Sequence, residues 1–185
     1  SLPGDDEGSP VGRTKSMPDS KFETVRVAVA ACQNRGHGYF HGWKHIANRA
    51  DLDFVLFIGD SIYEEAIPTK RGEWWAEQPY FFGMRLPIAR ELDEYRVRYQ
   101  LYLQDPDFKA ARAAHPMVVV PDDHEVENDY SLEVGSADRR KSGLQAFREY
   151  MPLPKGPLER NIRFGDLAQI VVADTRTHRN DRTIL

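Results

Sequence analysis

The chain has 185 residues, of which 41% are hydrophobic, and its formal net charge is −4. This length and composition predict a soluble globular chain that forms one domain or part of a larger one. The lack of a basic surplus argues against a nucleic-acid surface, and no apolar run approaches the roughly 18 residues that a membrane-spanning helix needs.

The first half of the chain is predicted to alternate between strands and helices. Residues 1–21 are rich in Gly, Pro, Ser and Asp, which is typical of a linker or tail. Strands are predicted over 25–32 and 53–59, with a helix over 39–49 between them. An irregular stretch from Asp60 to Arg90 follows, and its length predicts either the wall of a pocket or a small core under a loop. Its clustered aromatic residues are Trp74, Trp75, Tyr80, Phe81 and Phe82.

The second half continues this alternation. Helices are predicted over 91–104 and 138–150, and the Asp105-Pro106 break starts a short helix that ends near Ala114. A third apolar strand begins at Met117. The last two predicted strands, 162–164 and 167–173, flank Gly165-Asp166, which is the signal of a hairpin with a two-residue loop. The whole pattern predicts an α/β fold with a partly parallel sheet.

Polar side chains follow the first three predicted strands, where each strand ends. Cys32 ends the first strand, Asp60 and Tyr63 follow the second, and Asp123 and His124 follow the third. Taken singly, an Asp after a strand is usually a cap or turn former, and a lone cysteine is usually an inert core residue. Because the carboxyl ends of parallel strands meet at one edge of a sheet, the set together predicts a ligand site.

The residue types at this edge predict a metal centre. The spacing of Asp60 and Tyr63 lets both side chains reach one ion. A neutral tyrosine is a poor ligand, and ionising it at pH 7 costs roughly 4 kcal/mol, which a strongly polarising cation must supply. Ferric iron therefore fits this position better than magnesium, and a thiolate from Cys32 would suit it as well.

A second ion is predicted beside the first. Asp123, in a loop with Asn128, suits an oxygen-loving ion such as calcium or manganese, and Asp60 could bridge the two ions. Such a pair, about 3.5 to 4 Å apart, generates hydroxide at neutral pH and clamps a phosphoryl group. His124 would donate a proton or a hydrogen bond to the phosphate or the leaving group. Arg176 could clamp phosphate in a bidentate way, or form a surface or interdomain salt bridge instead.

Four segments carry a family resemblance. They are Ala31–Asn34, Gly59–Glu64, Asp122–Asn128 and Asp174–Arg176. In order and spacing they resemble the alkaline phosphatase D (PhoD-like) family of metallophosphatases, and Asp122–Asn128 is the most specific of them. The resemblance implies a four-layer αββα fold, hydrolysis of phosphate esters, a ferric site that uses Cys32, Asp60 and Tyr63, and calcium at the second site. It also implies a periplasmic or extracellular location, although the printed sequence shows no signal peptide.

The resemblance also implies a domain organisation. Residues 9–14 look like the last strand of the family's small N-terminal β-domain, so 1–21 would be linker and tail, and 22–185 the N-terminal portion of the catalytic domain. The C-terminal half, which supplies histidine ligands and a second sheet in the family, would then be missing after Leu185. The 185 residues alone are therefore expected to expose apolar surface and to lack phosphatase activity. The family usually has an aromatic residue where Ser61 stands.

Two other classes of function fit parts of the sequence. The run from Ile58 to Ser61 also matches the start of GDSL-type serine esterases, with Ser61 as nucleophile. In this chain, however, Asp174 and His178 are four residues apart rather than three, and His178 lies in a polar stretch that predicts a solvated side chain. The third possibility is a non-catalytic remnant whose metal centre never assembles. Monoesters and diesters both fit a two-metal clamp, and the sequence carries no signal for an oligomeric state.

Overall fold

The computed structural model describes residues 11–16, 23–35, 39–65 and 87–180. Within these ranges the strands are β1 (Val27–Ala30), β2 (Phe54–Ile58), β3 (Met117–Val120), β4 (Arg160–Phe164) and β5 (Ala168–Val172). The helices are α1 (His41–Ala47), α2 (Leu92–Leu103), α3 (Pro106–Ala114) and α4 (Ala137–Tyr150). The predicted α/β class is confirmed. Among the described helices, none has the length and apolar character needed to cross a membrane.

The first three strands form a parallel sheet in the order β1-β2-β3. Its register pairs Ala30 with Phe57 and Ile58 with Val120, so the carboxyl ends of all three strands lie at one edge. The central strand β2 is entirely apolar, and its alternating residues Val55 and Phe57 are buried in the core, whereas Ile58 on the other face is 46% exposed. The loops that follow the three strands therefore start side by side.

Helices cover this sheet with a largely aromatic core. α1 packs on α3, where Trp43 lies 4.8 Å from Phe108 and 5.3 Å from Phe57 between ring centroids. α2 packs on α4, and its buried residues Tyr95 and Tyr99 belong to the same core cluster. This core cluster holds the helices in a fixed position on the sheet, and therefore next to the loops that follow the strands.

Each of the three later helices starts at a recognisable capping signal. α2 begins with a capping box formed by Glu91 and Glu94. In α3 the Asp105 side chain accepts a hydrogen bond from the Phe108 N–H, with Pro106 at the first helical position, as the sequence predicts. Ser136 caps α4 by accepting from the Arg139 N–H. The cap on α4 matters for the site, because Arg139 reaches it from the first turn.

The C-terminal hairpin differs from the prediction in one detail. β4 and β5 pair so that Phe164 faces Ala168, which leaves a loop of residues 165–167 rather than the predicted two-residue Gly165-Asp166 loop. The Leu167 N–H donates to the Phe164 carbonyl at 3.0 Å, and Gly165 takes a positive φ of 52°. The two-residue prediction was wrong because a glycine in the left-handed region also suits a longer turn. This hairpin forms its own two-stranded antiparallel sheet.

The structure describes only part of the predicted N-terminal strand and none of the clustered aromatic residues of the predicted pocket wall. Residues 11–16 form no strand within the described part of the chain, and the Arg13 N–H instead donates to the Ala113 carbonyl at 2.8 Å. Residues 9 and 10 lie outside the described residues, and so do the clustered aromatic residues of the predicted pocket wall. The family's preceding β-domain therefore stays a prediction.

Gly143 in α4 predicts a sharp packing effect. A Cβ at Gly143 would overlap the Glu125 carbonyl oxygen and lie 3.1 Å from the Val126 Cα, and both are backbone atoms. Gly143→Ala is therefore expected to lower the free energy of unfolding by about 1 to 3 kcal/mol, as overpacking does elsewhere. Gly42→Ala in α1 is the control, because a Cβ there meets nothing within 4 Å. Urea unfolding measures the free energy of unfolding of both variants. Equal values for the two would contradict the close packing of Gly143 against Glu125 and Val126.

Candidate metal centre

The loops after β2 and β3 approach each other unusually closely. Gly59 directly follows β2 with φ at +97°, and a Cβ there would lie 2.8 Å from the backbone nitrogen of Asp122. Among the described residues, the non-glycine residues with positive φ are Cys32, Asp60 and Asp129. Cys32 and Asp60 follow neighbouring strands. Sparsely populated backbone conformations of this kind cost about 1 to 3 kcal/mol each and tend to occur at functional sites.

Three buried side chains meet at this edge of the sheet. Asp60, Asp123 and His124 each offer a ligand atom, and these atoms lie within 4.8 Å of one another. Burial and the charge of Asp123 raise the pKa of Asp60. Burial also acts on Asp123, but the Asp129 N–H at 2.7 Å and the charge of Arg176 oppose it and lower the pKa of Asp123 overall. Two buried carboxylates this close repel each other when ionised, and a hard cation would relieve that repulsion.

Cys32 and Tyr63 lie beside Asp60. The Tyr63 hydroxyl donates to Asp60 Oδ2 at 3.0 Å, and the Cys32 N–H donates to the Gly59 carbonyl at 3.2 Å. Burial and the neighbouring Asp60 raise the pKa of the Tyr63 phenol. Burial and the hydrogen bond and charge of Asp60 likewise raise the pKa of the Cys32 thiol. Both groups therefore hold their protons, so either becomes a ligand only if a strongly polarising cation displaces that proton.

Asn128 and Arg176 occupy the rim of the cluster. Asn128 is exposed, and its side-chain amide donates to Asp129 Oδ2 at 2.9 Å. Arg176 Nε donates to Asp122 Oδ1 at 2.5 Å, and its Nη2 lies 3.5 Å from Asp123 Oδ2. Nη1 of Arg176 is buried and has no hydrogen-bond partner within the part of the chain that the structure describes. The Arg176 side chain is only 13% exposed, so its salt bridge to Asp122 is not the surface bridge named as the alternative, and it holds the guanidinium next to the buried carboxylates.

Three contacts hold His124, two through its ring and one through its backbone. Its Nδ1 lies 2.8 Å from Glu64 Oε2, and its ring centroid lies 4.1 Å from that of Tyr63. Its backbone N–H donates to Asp60 Oδ1 at 3.4 Å. Burial alone would lower the pKa of His124, but the hydrogen bond and charge of Glu64, with the charges of Asp60 and Asp123, raise it overall. The imidazole is therefore fixed in place, and its acidic neighbours stabilise the protonated form relative to that of a free histidine.

Glu125 joins the two loops, a role that the sequence did not indicate. This fully buried carboxylate accepts hydrogen bonds from the N–H groups of Asp60 at 3.3 Å, Ser61 at 2.6 Å and Asp122 at 2.9 Å. It also accepts from the Ser61 hydroxyl at 2.6 Å. Burial raises the pKa of Glu125 to about 7, although the Ser61 hydrogen bonds oppose the shift. The sequence did offer one clue to Glu125, because this glutamate directly follows Asp123 and His124, the two predicted site residues.

Glu64 and Arg139 were also missed by the sequence predictions. Glu64 follows Tyr63, is buried, and contacts both His124 and the Asn128 N–H. Arg139 lies in the first turn of α4, pairs with Glu127, and brings Nη2 to 3.9 Å from Glu64 Oε1. A glutamate at a strand end predicts no specific partner, since its contacts depend on how the loops and α4 approach each other.

The geometry does not support the serine esterase. The Ser61 side chain is buried, only 3% of the residue is exposed, and its hydroxyl donates to Glu125. His178 is 75% exposed at its side chain and lies 3.3 Å from Glu159, so the predicted solvated state of His178 is confirmed. Asp174 accepts hydrogen bonds from the N–H groups of Arg176 and Thr177. The proposed triad members therefore have other partners.

Comparison with known proteins supports the resemblance. A family model described as PhoD-like phosphatase matches residues 27–184. Alkaline phosphatase D of Bacillus subtilis (strain 168) is 37% identical over an alignment of 200 positions, covering 95% of this chain and 32% of that protein. A solved structure described as that of PhoD superposes with a TM-score of 0.78 at 35% identity, covering 92% of this chain and 35% of the other. This chain, which spans about a third of the length of these relatives, belongs to the PhoD-like phosphatase family.

Proposed function

We propose that the protein is a metal-dependent phosphoester hydrolase that uses the strand-end cluster as its active site. The observation that carries the proposal is the meeting of Asp60, Asp123 and His124, whose ligand atoms lie within 4.8 Å of one another in a buried position. Two buried carboxylates side by side repel each other when ionised, and a bound cation would offset that repulsion. The family membership supports phosphate esters as the substrate class.

The donor set supports two different ions. We assign Cys32, Asp60 and Tyr63 to ferric iron, because a phenolate and a thiolate suit a strongly polarising transition metal. We assign Asp123 and Asn128 to calcium, with Asp60 shared between the ions, because calcium prefers carboxylate and carbonyl oxygens. Ions held there would polarise a phosphoryl group and bring the pKa of bound water near neutrality.

The remaining site residues would handle the proton and the phosphate. His124, whose pKa is raised by its acidic neighbours against the effect of burial, is suited to give a proton to the leaving group. Arg176 has a buried Nη1 without a partner among the described residues, and it lies beside Asp123. A guanidinium in this position can donate to a phosphate oxygen. We also propose, from the family resemblance, that the protein is exported from the cytoplasm.

The proposal predicts metal-dependent hydrolysis by the protein in its full natural length. Hydrolysis of bis(p-nitrophenyl) phosphate and of p-nitrophenyl phosphate is measured before and after treatment with a chelator. We expect the activity to disappear on chelation and to return with iron and calcium together, but not with magnesium alone. Activity that survives chelation and is blocked by a serine-directed organophosphate would support the esterase instead. No hydrolysis with any metal would support the non-catalytic remnant.

A further inference from the structure

Glu64 connects the loop after β2 to the loop after β3. Its two carboxylate oxygens have different partners: Oε1 accepts from the Asn128 N–H at 2.9 Å, and Oε2 lies 2.8 Å from His124 Nδ1. Only 2% of Glu64 is exposed. The backbone N–H of Asn128 thus fixes which oxygen of Glu64 meets the imidazole.

The direction of the hydrogen bond between Glu64 and His124 follows from the chemistry of the two groups. An ionised carboxylate has no hydrogen to donate, so the hydrogen must be on His124 Nδ1. Arg139 Nη2 lies 3.9 Å from Glu64 Oε1, so a guanidinium faces this carboxylate as an ion-pair partner. The tautomer of a histidine is set by the hydrogen bond that one of its nitrogens makes. The ring contact with Tyr63 at 4.1 Å keeps the imidazole plane in the orientation that this bond needs.

We infer that Glu64 is a positioning residue that holds His124 in the tautomer protonated at Nδ1. The other nitrogen, Nε2, is then the one that exchanges a proton with the substrate. The link to catalysis rests on the proposed function, whereas the tautomer itself depends only on the contacts described. Replacing the carboxylate partner of a metal-bound histidine commonly changes activity or metal affinity by about 10- to 100-fold, and we expect a loss of activity of similar size for the carboxylate partner of His124.

Glu64→Gln tests the inference because the substitution should reverse the tautomer without changing the shape of the site. The Asn128 N–H requires an acceptor, so the amide oxygen should stay at the position of Oε1 and the amide NH₂ should face His124 Nδ1. Nδ1 must then accept, and the imidazole hydrogen should move to Nε2. Glu127→Gln is the matched control, since it makes the same chemical change at a residue that contacts Arg139 rather than His124.

The tautomer is measured by long-range ¹H–¹⁵N spectroscopy of the histidine rings at alkaline pH, with a chelator present so that no paramagnetic ion broadens the signals. The His124 signals are assigned from their loss in His124→Gln. We expect Nδ1–H in the wild type and in Glu127→Gln, and Nε2–H in Glu64→Gln. Nε2–H in the wild type, or Nδ1–H retained in Glu64→Gln, would overturn the inference. The wild-type spectrum decides the question by itself if Glu64→Gln does not fold.

Kinetics separate positioning from a purely structural role. In the full-length enzyme, Glu64→Gln should lower kcat by about 10- to 100-fold, with KM and metal content close to the wild-type values. Unchanged kcat would show that the tautomer has no part in turnover and would overturn the positioning role. If the wild-type protein hydrolyses no phosphate ester while its His124 carries the hydrogen on Nδ1, the proposed function fails and the structural assignment of Glu64 stands.

Discussion

His124→Ala is expected to lower the turnover of phosphate esters by about 10² to 10⁴, the usual range for a positioned acid or base. The imidazole is buried, hydrogen-bonded to Glu64 and in contact with the Tyr63 ring, so the substitution removes a group whose orientation is already fixed. The metal content should stay close to that of the wild type. Turnover, metal content and melting temperature are measured on one preparation.

His178→Ala is the matched control for the His124 variant. His178 is largely exposed and lies near Glu159, so turnover should not change in this variant. Full activity in His124→Ala would exclude the catalytic role. A loss of activity that follows the melting temperature would make His124 a packing residue, and a parallel loss of metal would make it a ligand.

Asp60→Asn is expected to remove most of the bound metal and to lower turnover by at least about 10²-fold. This loss exceeds the typical effect of replacing a residue that contacts a metal ligand but not the metal. Asp60 contacts Tyr63 and belongs to the three-residue cluster, so both proposed ions depend on its charge. Asparagine tolerates the left-handed backbone that this position requires, with φ at +54°, so the fold should be retained.

Asp122→Asn provides the comparison for Asp60→Asn. Asp122 carries the same charge and pairs with Arg176, but it is not one of the three clustered ligand residues. A small effect on metal content is therefore expected there. Elemental analysis and turnover are measured for both variants, and equal metal retention in Asp60→Asn and the wild type would contradict the assignment of Asp60.

The sequence predicted that side chains at the ends of three strands would meet at one edge of the sheet, because the relevant information is local. The apolar run Phe54–Ile58 indicates a buried strand, and Gly59 followed by Asp60 indicates where that strand ends. The parallel pairing of β1, β2 and β3 then brings Cys32, Asp60 and Asp123 to one edge without further assumptions. Element type and order could be predicted for the same reason, since both follow from periodicity and capping residues.

The supporting residues could not be predicted because their roles depend on tertiary contacts. Glu125 accepts three backbone N–H groups only because the loops after β2 and β3 approach within hydrogen-bond distance, and the positive φ of Gly59 permits that approach. The contact between Glu64 and His124 spans sixty positions of the chain. The length of the β4–β5 loop was missed for a smaller reason, since one glycine suits several turn types.

The visible absorption and iron content of the full-length protein test the central claim most directly. If Cys32, Asp60 and Tyr63 hold ferric iron, the protein should contain iron and show a phenolate-to-iron charge-transfer band in the visible range. Tyr63→Phe should abolish that band and weaken iron retention, and Cys32→Ser should weaken retention as well, because each variant removes one donor from the set around Asp60. A Tyr63→Phe protein with full iron content and the same visible spectrum as the wild type would contradict the account.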